Sequence, residues 1–131
     1  IGGYKYNKKT KTFPVFINYD KQENISDTTK YEDHFISSNH LIAISKSGRS
    51  LESEDVQNFL KATERGIDVQ LFVRKNKDDK ISKEFYYLGR MTATGQAREF
   101  IMQNTDKTAV EIEWILDTPV REDIYEYIIN E

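Results

Sequence analysis

Apolar positions along this chain repeat with two different periods, and each period marks a different kind of element. Alternation with period two marks a half-buried strand, whereas apolar residues three and four apart mark one face of a helix. From Phe13 to Tyr19 the chain is aromatic and β-branched and reads as a strand, with Pro14 at its start or on an edge. The stretch from Tyr4 to Lys11 reads as a short strand or arm followed by a lysine-rich turn. Asp20 to Lys30 is polar, with a turn at Asp27-Thr28-Thr29, and forms a surface loop. Tyr31 to Ser38 fits a loop or a short strand. Leu41 to Ser45 is a buried strand that ends in the polar turn from Ser45 to Ser50.

Ser53 reads as a helix N-cap, with Glu54 and Asp55 in the first turn, where the helix dipole favours carboxylates. Val56, Phe59, Leu60 and Thr63 then share one face, and Gly66 stops the helix. Val69, Leu71 and Val73 alternate within a strand from Ile67 to Lys75, and residues 76–80 join it to a second strand from Phe85 to Thr92 as a hairpin. Val110, Ile112 and Trp114 lie on one face of a strand from Ala109 to Leu116. Thr118-Pro119 opens a terminal helix in which Ile124, Tyr127 and Ile128 share a side. Six or so strands with two short helices predict an α+β fold, a curved antiparallel sheet or barrel with helices flanking it.

A length of 131 residues suits one domain, and no repeat or interdomain linker interrupts it. Hydrophobic residues at 37% and charged residues at 31% place the chain among folding, water-compatible proteins rather than disordered ones. The absence of cysteine excludes disulfides, thiolate zinc sites and a cysteine nucleophile, and agrees with a reducing cytoplasm. The longest apolar run, Leu41 to Ile44, is far too short to span a bilayer, so no membrane partner is expected. A start at Ile1 suggests a piece excised from a longer protein.

The net charge of −3 conceals an asymmetry. Residues 1–50 hold eight Lys/Arg against five acids, a surplus of three, so the rest carries −6. The total argues against a non-specific polyanion binder, but one basic face could still meet phosphates. The plainer reading is a solvated surface with scattered lysines.

Parts for independent chemistry are missing. His34 and His40 have no further histidine or cysteine to complete a metal site, so no metal or cofactor is expected. No GxxxxGK[ST], GxSxG or GxGxxG motif is present, and the acid pairs Glu32/Asp33 and Asp78/Asp79 suit a surface and a hairpin. The expectation is a binding domain rather than an enzyme. The stretch from Thr29 to Ser50 is the informative one. It sets an aromatic ring beside carboxylates and then, after a short strand, presents hydroxyls with Lys46, Gly48 and Arg49. A ring can face a base, a carboxylate can accept the N4 amine of cytosine, and a basic hydroxyl-rich turn can hold phosphates. The same residues also suit a core in which Tyr31 and Phe35 are packing aromatics and Asp33 caps a turn.

Six blocks, in order, carry a family resemblance: Phe16-Ile-Asn-Tyr19, Thr29-Lys-Tyr-Glu-Asp33, Ser45-Lys-Ser-Gly-Arg-Ser-Leu-Glu-Ser53, Leu71-Phe-Val-Arg74, Phe85-Tyr-Tyr-Leu-Gly89 and Leu116-Asp-Thr-Pro-Val-Arg-Glu-Asp123. Together they resemble the C-terminal module of superfamily II helicase proteins such as SauUSI-type Type IV restriction endonucleases. The resemblance implies one SRA-like target-recognition domain over residues 1–131, with an SRA/PUA-like barrel that reads 5-methylcytosine or 5-hydroxymethylcytosine in double-stranded DNA by base flipping. It also implies helicase and nuclease domains on the same polypeptide.

By that carry-over Tyr31 stacks on the flipped base and Asp33, with Glu32 beside it, binds the Watson–Crick edge. Ser45 and Ser47 line the pocket, and Lys30, Lys46, Gly48 and Arg49 hold the DNA backbone. One position departs from the pattern. Ala43 stands where relatives carry Trp or Tyr as a second wall, leaving Tyr19, Phe35 and Phe16 as candidates to replace it. Two other readings remain: a module that docks on protein through a sheet edge or the Tyr125 and Tyr127 region, and a reader of modified RNA on a pseudouridine-synthase-like barrel.

Overall fold

The structure, a computed structural model, describes residues 3–19, 32–75, 84–103 and 105–130. Its strands are β1 (Gly3–Tyr4), β2 (Thr12–Tyr19), β3 (His34–Ser37), β4 (His40–Ile44), β5 (Asp68–Lys75), β6 (Tyr86–Ile101) and β7 (Thr108–Leu116). Its helices are α1 (Glu54–Leu60), α2 (Ala62–Arg65) and α3 (Glu122–Ile129). Among the described residues the strands form one sheet in the order β1-β2-β5-β6-β7-β4-β3.

Alternation predicts the buried faces well. Phe13, Val15, Ile17 and Tyr19 of β2, Val69, Leu71 and Val73 of β5, and Val110, Ile112, Trp114 and Leu116 of β7 all lie in one core. The sheet curls around α1. The Phe59 ring meets Phe13 at 4.3 Å, Tyr4 at 4.9 Å and Trp114 at 5.3 Å, touching β1, β2 and β7 at once. One side chain can reach both halves of the strand order only if the sheet bends back on itself.

Long β6 makes that bend. Its first residues pair with β5 and the remainder with β7, and each junction carries a register shift next to a glycine. Gly89 (φ +94°) faces Leu71 where Leu88 is the extra residue, and Gly95 (φ +102°) lies in the wider bulge between Ala93 and Ala97. The sequence reading ends this strand at Thr92, because the polar, glycine-containing stretch that follows has no period-two pattern. A Cβ at Gly89 would meet nothing within 4 Å, so the demand on this residue is conformational alone. Gly89→Ala is therefore expected to cost about 1–2 kcal/mol, seen as a lower urea midpoint with an unchanged slope.

Two details correct the expected architecture. The sheet is not wholly antiparallel: β2 and β5 run parallel from Thr12↔Asp68 to Tyr19↔Lys75. Between them the chain builds the β3–β4 hairpin, α1 and α2, and so has the length a parallel crossover needs. Nor do the strands pair all the way round. Among the described residues side chains cross the gap instead: Phe35 N–H donates to the Tyr19 hydroxyl (3.0 Å), and Lys46 Nζ donates to the Tyr4 carbonyl (3.0 Å).

The single predicted helix is interrupted at Lys61. Ser53 is its N-cap, but Ser53 Oγ accepts Ser50 N–H rather than a helix N–H. The terminal helix starts at Glu122, later than Pro119: Arg121 is its N-cap, with extended backbone at ψ 140°, and Val120 N–H donates to the Ser38 carbonyl (2.7 Å). Among the described residues no helix is long and apolar enough to cross a membrane.

Candidate nucleic-acid interface

The site grows from the end of the β3–β4 hairpin. The last regular pair there is His34↔Ile42, so the N–H of Ile44 needs an acceptor beyond the ladder. Asp33 supplies it, and its Oδ1 accepts Ile44 N–H at 2.7 Å. The residue keeps some exposure, but burial of the carboxyl group pushes its pKa up to about 6, against the opposing effect of the Ile44 bond. Among the described residues Oδ2 has no hydrogen-bond partner. Asp33 is thus both a backbone tie and a half-used acceptor.

Immediately after Ile44 the chain enters the turn from Ser45 to Arg49, which β7 holds in place. Ser45 N–H donates to the Val110 carbonyl, Val110 N–H to Ser45 Oγ, and Ser45 Oγ to the Lys46 carbonyl, at 2.8, 2.8 and 2.9 Å. Gly48, at φ +81°, donates to the Thr108 carbonyl at 2.7 Å, and Thr108 Oγ1 donates to the Arg49 carbonyl at 2.9 Å. The left-handed conformation at Gly48 explains a glycine here. Five residues with so many backbone ties form a rigid turn that presents exposed Lys46, Ser47 and Gly48.

Tyr4 closes the other side. Its hydroxyl donates to Asp55 Oδ2 (2.7 Å) and accepts Lys46 N–H (3.0 Å), while Lys46 Nζ lies 4.6 Å from its ring centroid. Burial raises the Tyr4 hydroxyl well above the ordinary tyrosine range. Arg49 Nε donates to the same Asp55 oxygen at 2.9 Å. Burial opposes ionisation of Asp55, but the bonds from Tyr4 and Arg49 outweigh it and hold the carboxyl below its usual value.

The candidates fall into distinct places. Tyr31 and Lys30 lie outside the described residues. Asp33 and the turn residues Ser45, Lys46, Ser47, Gly48 and Arg49 are brought together at the end of β4. Ser45 is buried and engaged by Val110 of β7 and by the Lys46 carbonyl, whereas Ser47 is exposed. Glu32 precedes Asp33, and its carbonyl accepts His34 Nδ1–H at 2.7 Å.

Tyr19 and Phe35 are both buried, 5.7 Å apart, and Phe35 also meets Tyr125 of α3 edge-on at 5.6 Å. Burial raises the Tyr19 hydroxyl as well. Phe16 occupies the opposite face of β2, stacked on Phe72 at 4.8 Å. Ala43 points into a gap of about 20 Å³ bounded by Tyr4, Phe59, Ile112 and Trp114, which leaves no room for a large ring. Sequence reasoning gave Tyr4 no role at the site. Its partners lie 42 and 51 residues away, so no local signal could have marked it.

A family profile described as "Domain of unknown function (DUF3427)" matches residues 1–128. The chain belongs to the DUF3427 family. This DUF3427 domain shares its fold with two solved structures. One is the SUVH5 SRA domain in complex with fully methylated CG DNA, at 11% identity and a TM-score of 0.52, over 92% of this chain and 77% of that one. The other is SUVH6 of Arabidopsis thaliana in complex with SAM, at 9% identity and a TM-score of 0.52, over 92% of this chain and 22% of that one. At these identities the likeness is one of fold, and the DUF3427 domain has an SRA-like α+β architecture. No curated protein sequence matches it.

Proposed function

We propose that this domain binds double-stranded DNA containing 5-methylcytosine or 5-hydroxymethylcytosine and receives the everted base beside Asp33. In this reading Asp33 Oδ2 accepts the N4 amine, Tyr31 stacks on the ring, and the turn from Ser45 to Arg49 meets the flanking backbone. The domain performs no chemistry itself. It gives target specificity to the helicase and nuclease domains of a longer cytoplasmic, Type IV restriction polypeptide. The observation that carries the reading is the half-used Asp33 carboxyl at the mouth of a rigid basic turn. An SRA-like fold whose relative SUVH5 is seen with fully methylated CG DNA adds support.

Affinities of the 131-residue chain for a methylated duplex and its unmethylated twin test the proposal at physiological salt. A preference of about tenfold or more is expected, and equal affinities would overturn it. Tyr31→Ala should remove about tenfold from the methylated complex, the worth of one stacking face, without altering the melting transition. Unchanged DNA binding by that variant would instead favour protein docking. That reading has one observation of its own: Tyr127 and Tyr86, 38% and 41% exposed, meet at 5.9 Å on the surface.

A further inference from the structure

A cleft of about 250 Å³ lies between the β1 arm and the turn from Ser45 to Arg49, with Tyr4, Tyr6, Lys5, Lys8, Lys46 and Arg49 along it. We propose that this cleft holds a phosphodiester of the DNA backbone, with the ammonium groups of Lys5 and Lys8 as its principal contacts. The inference rests on the DNA-binding reading above and extends that interface to the start of the chain.

Charge supports it first. Glu54 and Asp55 also line the cleft, but Asp55 is already neutralised by Arg49 and hydrogen-bonded by Tyr4. That leaves three lysines against Glu54 in a chain whose net charge is −3, so the local sign is opposite to the overall one. Among the described residues the ammonium groups of Lys5 and Lys8 have neither a hydrogen bond nor an ion pair. Unpaired cations converging on a concavity are suited to an anion that arrives from outside.

Rigidity supports it second. Lys5 follows β1, which pairs with β2 at Gly3↔Phe16 and Tyr4↔Val15. Lys8 sits in a turn whose Asn7 Oδ1 accepts the N–H groups of Lys9 (3.0 Å) and Thr10 (3.3 Å), and Asn7 bridges to Thr12. Only the side chains need ordering on binding. Position supports it third: Lys46 and Arg49 belong to both the cleft and the turn that starts beside Asp33, so a strand whose base is received at Asp33 has its phosphates directed along this path.

The test compares wild type, the double variant Lys5→Gln/Lys8→Gln, and Arg90→Gln, an exposed cation in a different cleft that it shares with Asp68 and Asp117. Affinities for methylated and unmethylated duplexes are measured across a salt series. The double variant is expected to lose affinity for both duplexes by the same factor, and its log K against log salt slope should shrink by about 1.8, two phosphate contacts' worth. Arg90→Gln should keep the wild-type slope. An unchanged slope in the double variant, or a loss confined to the methylated duplex, overturns the cleft. The two failures are separable. Absence of methyl preference in wild type with a reduced slope in the variant rejects base reading and keeps the cleft, whereas intact preference with an unchanged slope rejects the cleft alone.

Discussion

Asp33→Asn is expected to make the protein more stable at neutral pH while making it a poorer reader of modified cytosine. Burial raises the Asp33 carboxyl from its ordinary 3.8 to about 6, so between those values the folded state holds a proton that the unfolded chain has released. The stability linked to this group is fully present below about pH 4 and is lost as pH rises through 6, a decline of about 3 kcal/mol. Asparagine still accepts Ile44 N–H through its oxygen but never ionises. Its advantage in urea denaturation should grow from near zero at about pH 4 to about 3 kcal/mol at pH 7.5.

Recognition should move the other way, because the amide turns a donor toward the N4 amine where a carboxylate offers an acceptor. Affinity for the methylated duplex should drop by about 1–3 kcal/mol, the worth of one base-edge contact. A residue with only a structural role would not separate the two readouts. An asparagine variant with wild-type stability at both pH values would show that the carboxyl is not desolvated. An unaltered affinity for the methylated duplex would remove Asp33 from the site.

Lys75→Met is expected to be the other large effect, and its cause lies at the C-terminal end of β5. Lys75 is only 6% exposed, with Nζ donating to the Tyr127 carbonyl (2.7 Å) and to the Asn130 carbonyl, 4.7 Å from the Tyr127 ring centroid. The last carbonyls of any helix lack internal partners, and α3 has no basic residue in its own last turn. Lys75 therefore acts as a C-terminal cap supplied by a distant strand. Methionine keeps the apolar stem but leaves both carbonyls without that donor, a loss of about 2–4 kcal/mol after allowing for the relief of burying a charge.

The loss should be concentrated in α3. Hydrogen exchange at residues 125–130 should accelerate more than in β7. Because Tyr125 packs on Phe35, whose N–H is bonded to Tyr19, some loosening should reach the β3 strand next to Asp33. Stability within about 0.5 kcal/mol of wild type would show that solvent replaces the ammonium at no cost.

The core faces and every strand but the second part of β6 were legible from the sequence because they are local. Period-two alternation in β2, β5 and β7, and the spacing of Val56 and Phe59 in α1, follow from which side of an element must leave water. The turn at Gly48 was legible for the same reason, since its hydroxyls, charges and glycine are neighbours in the chain. The family resemblance placed Asp33 and that turn at one site, and the structure brings them together at the end of β4.

What tertiary structure alone decided involves partners far apart in sequence. The parallel pairing of β2 with β5 depends on where a crossover of two strands and two helices returns the chain. The use of Lys75 on α3 and of Tyr4 on Lys46 and Asp55 depends on contacts across 42 to 55 residues. The raised carboxyl of Asp33 depends on what covers it. Periodicity records each residue's own exposure to water, whereas a hydrogen bond or a desolvated charge is a property of two or more surfaces that only folding brings together.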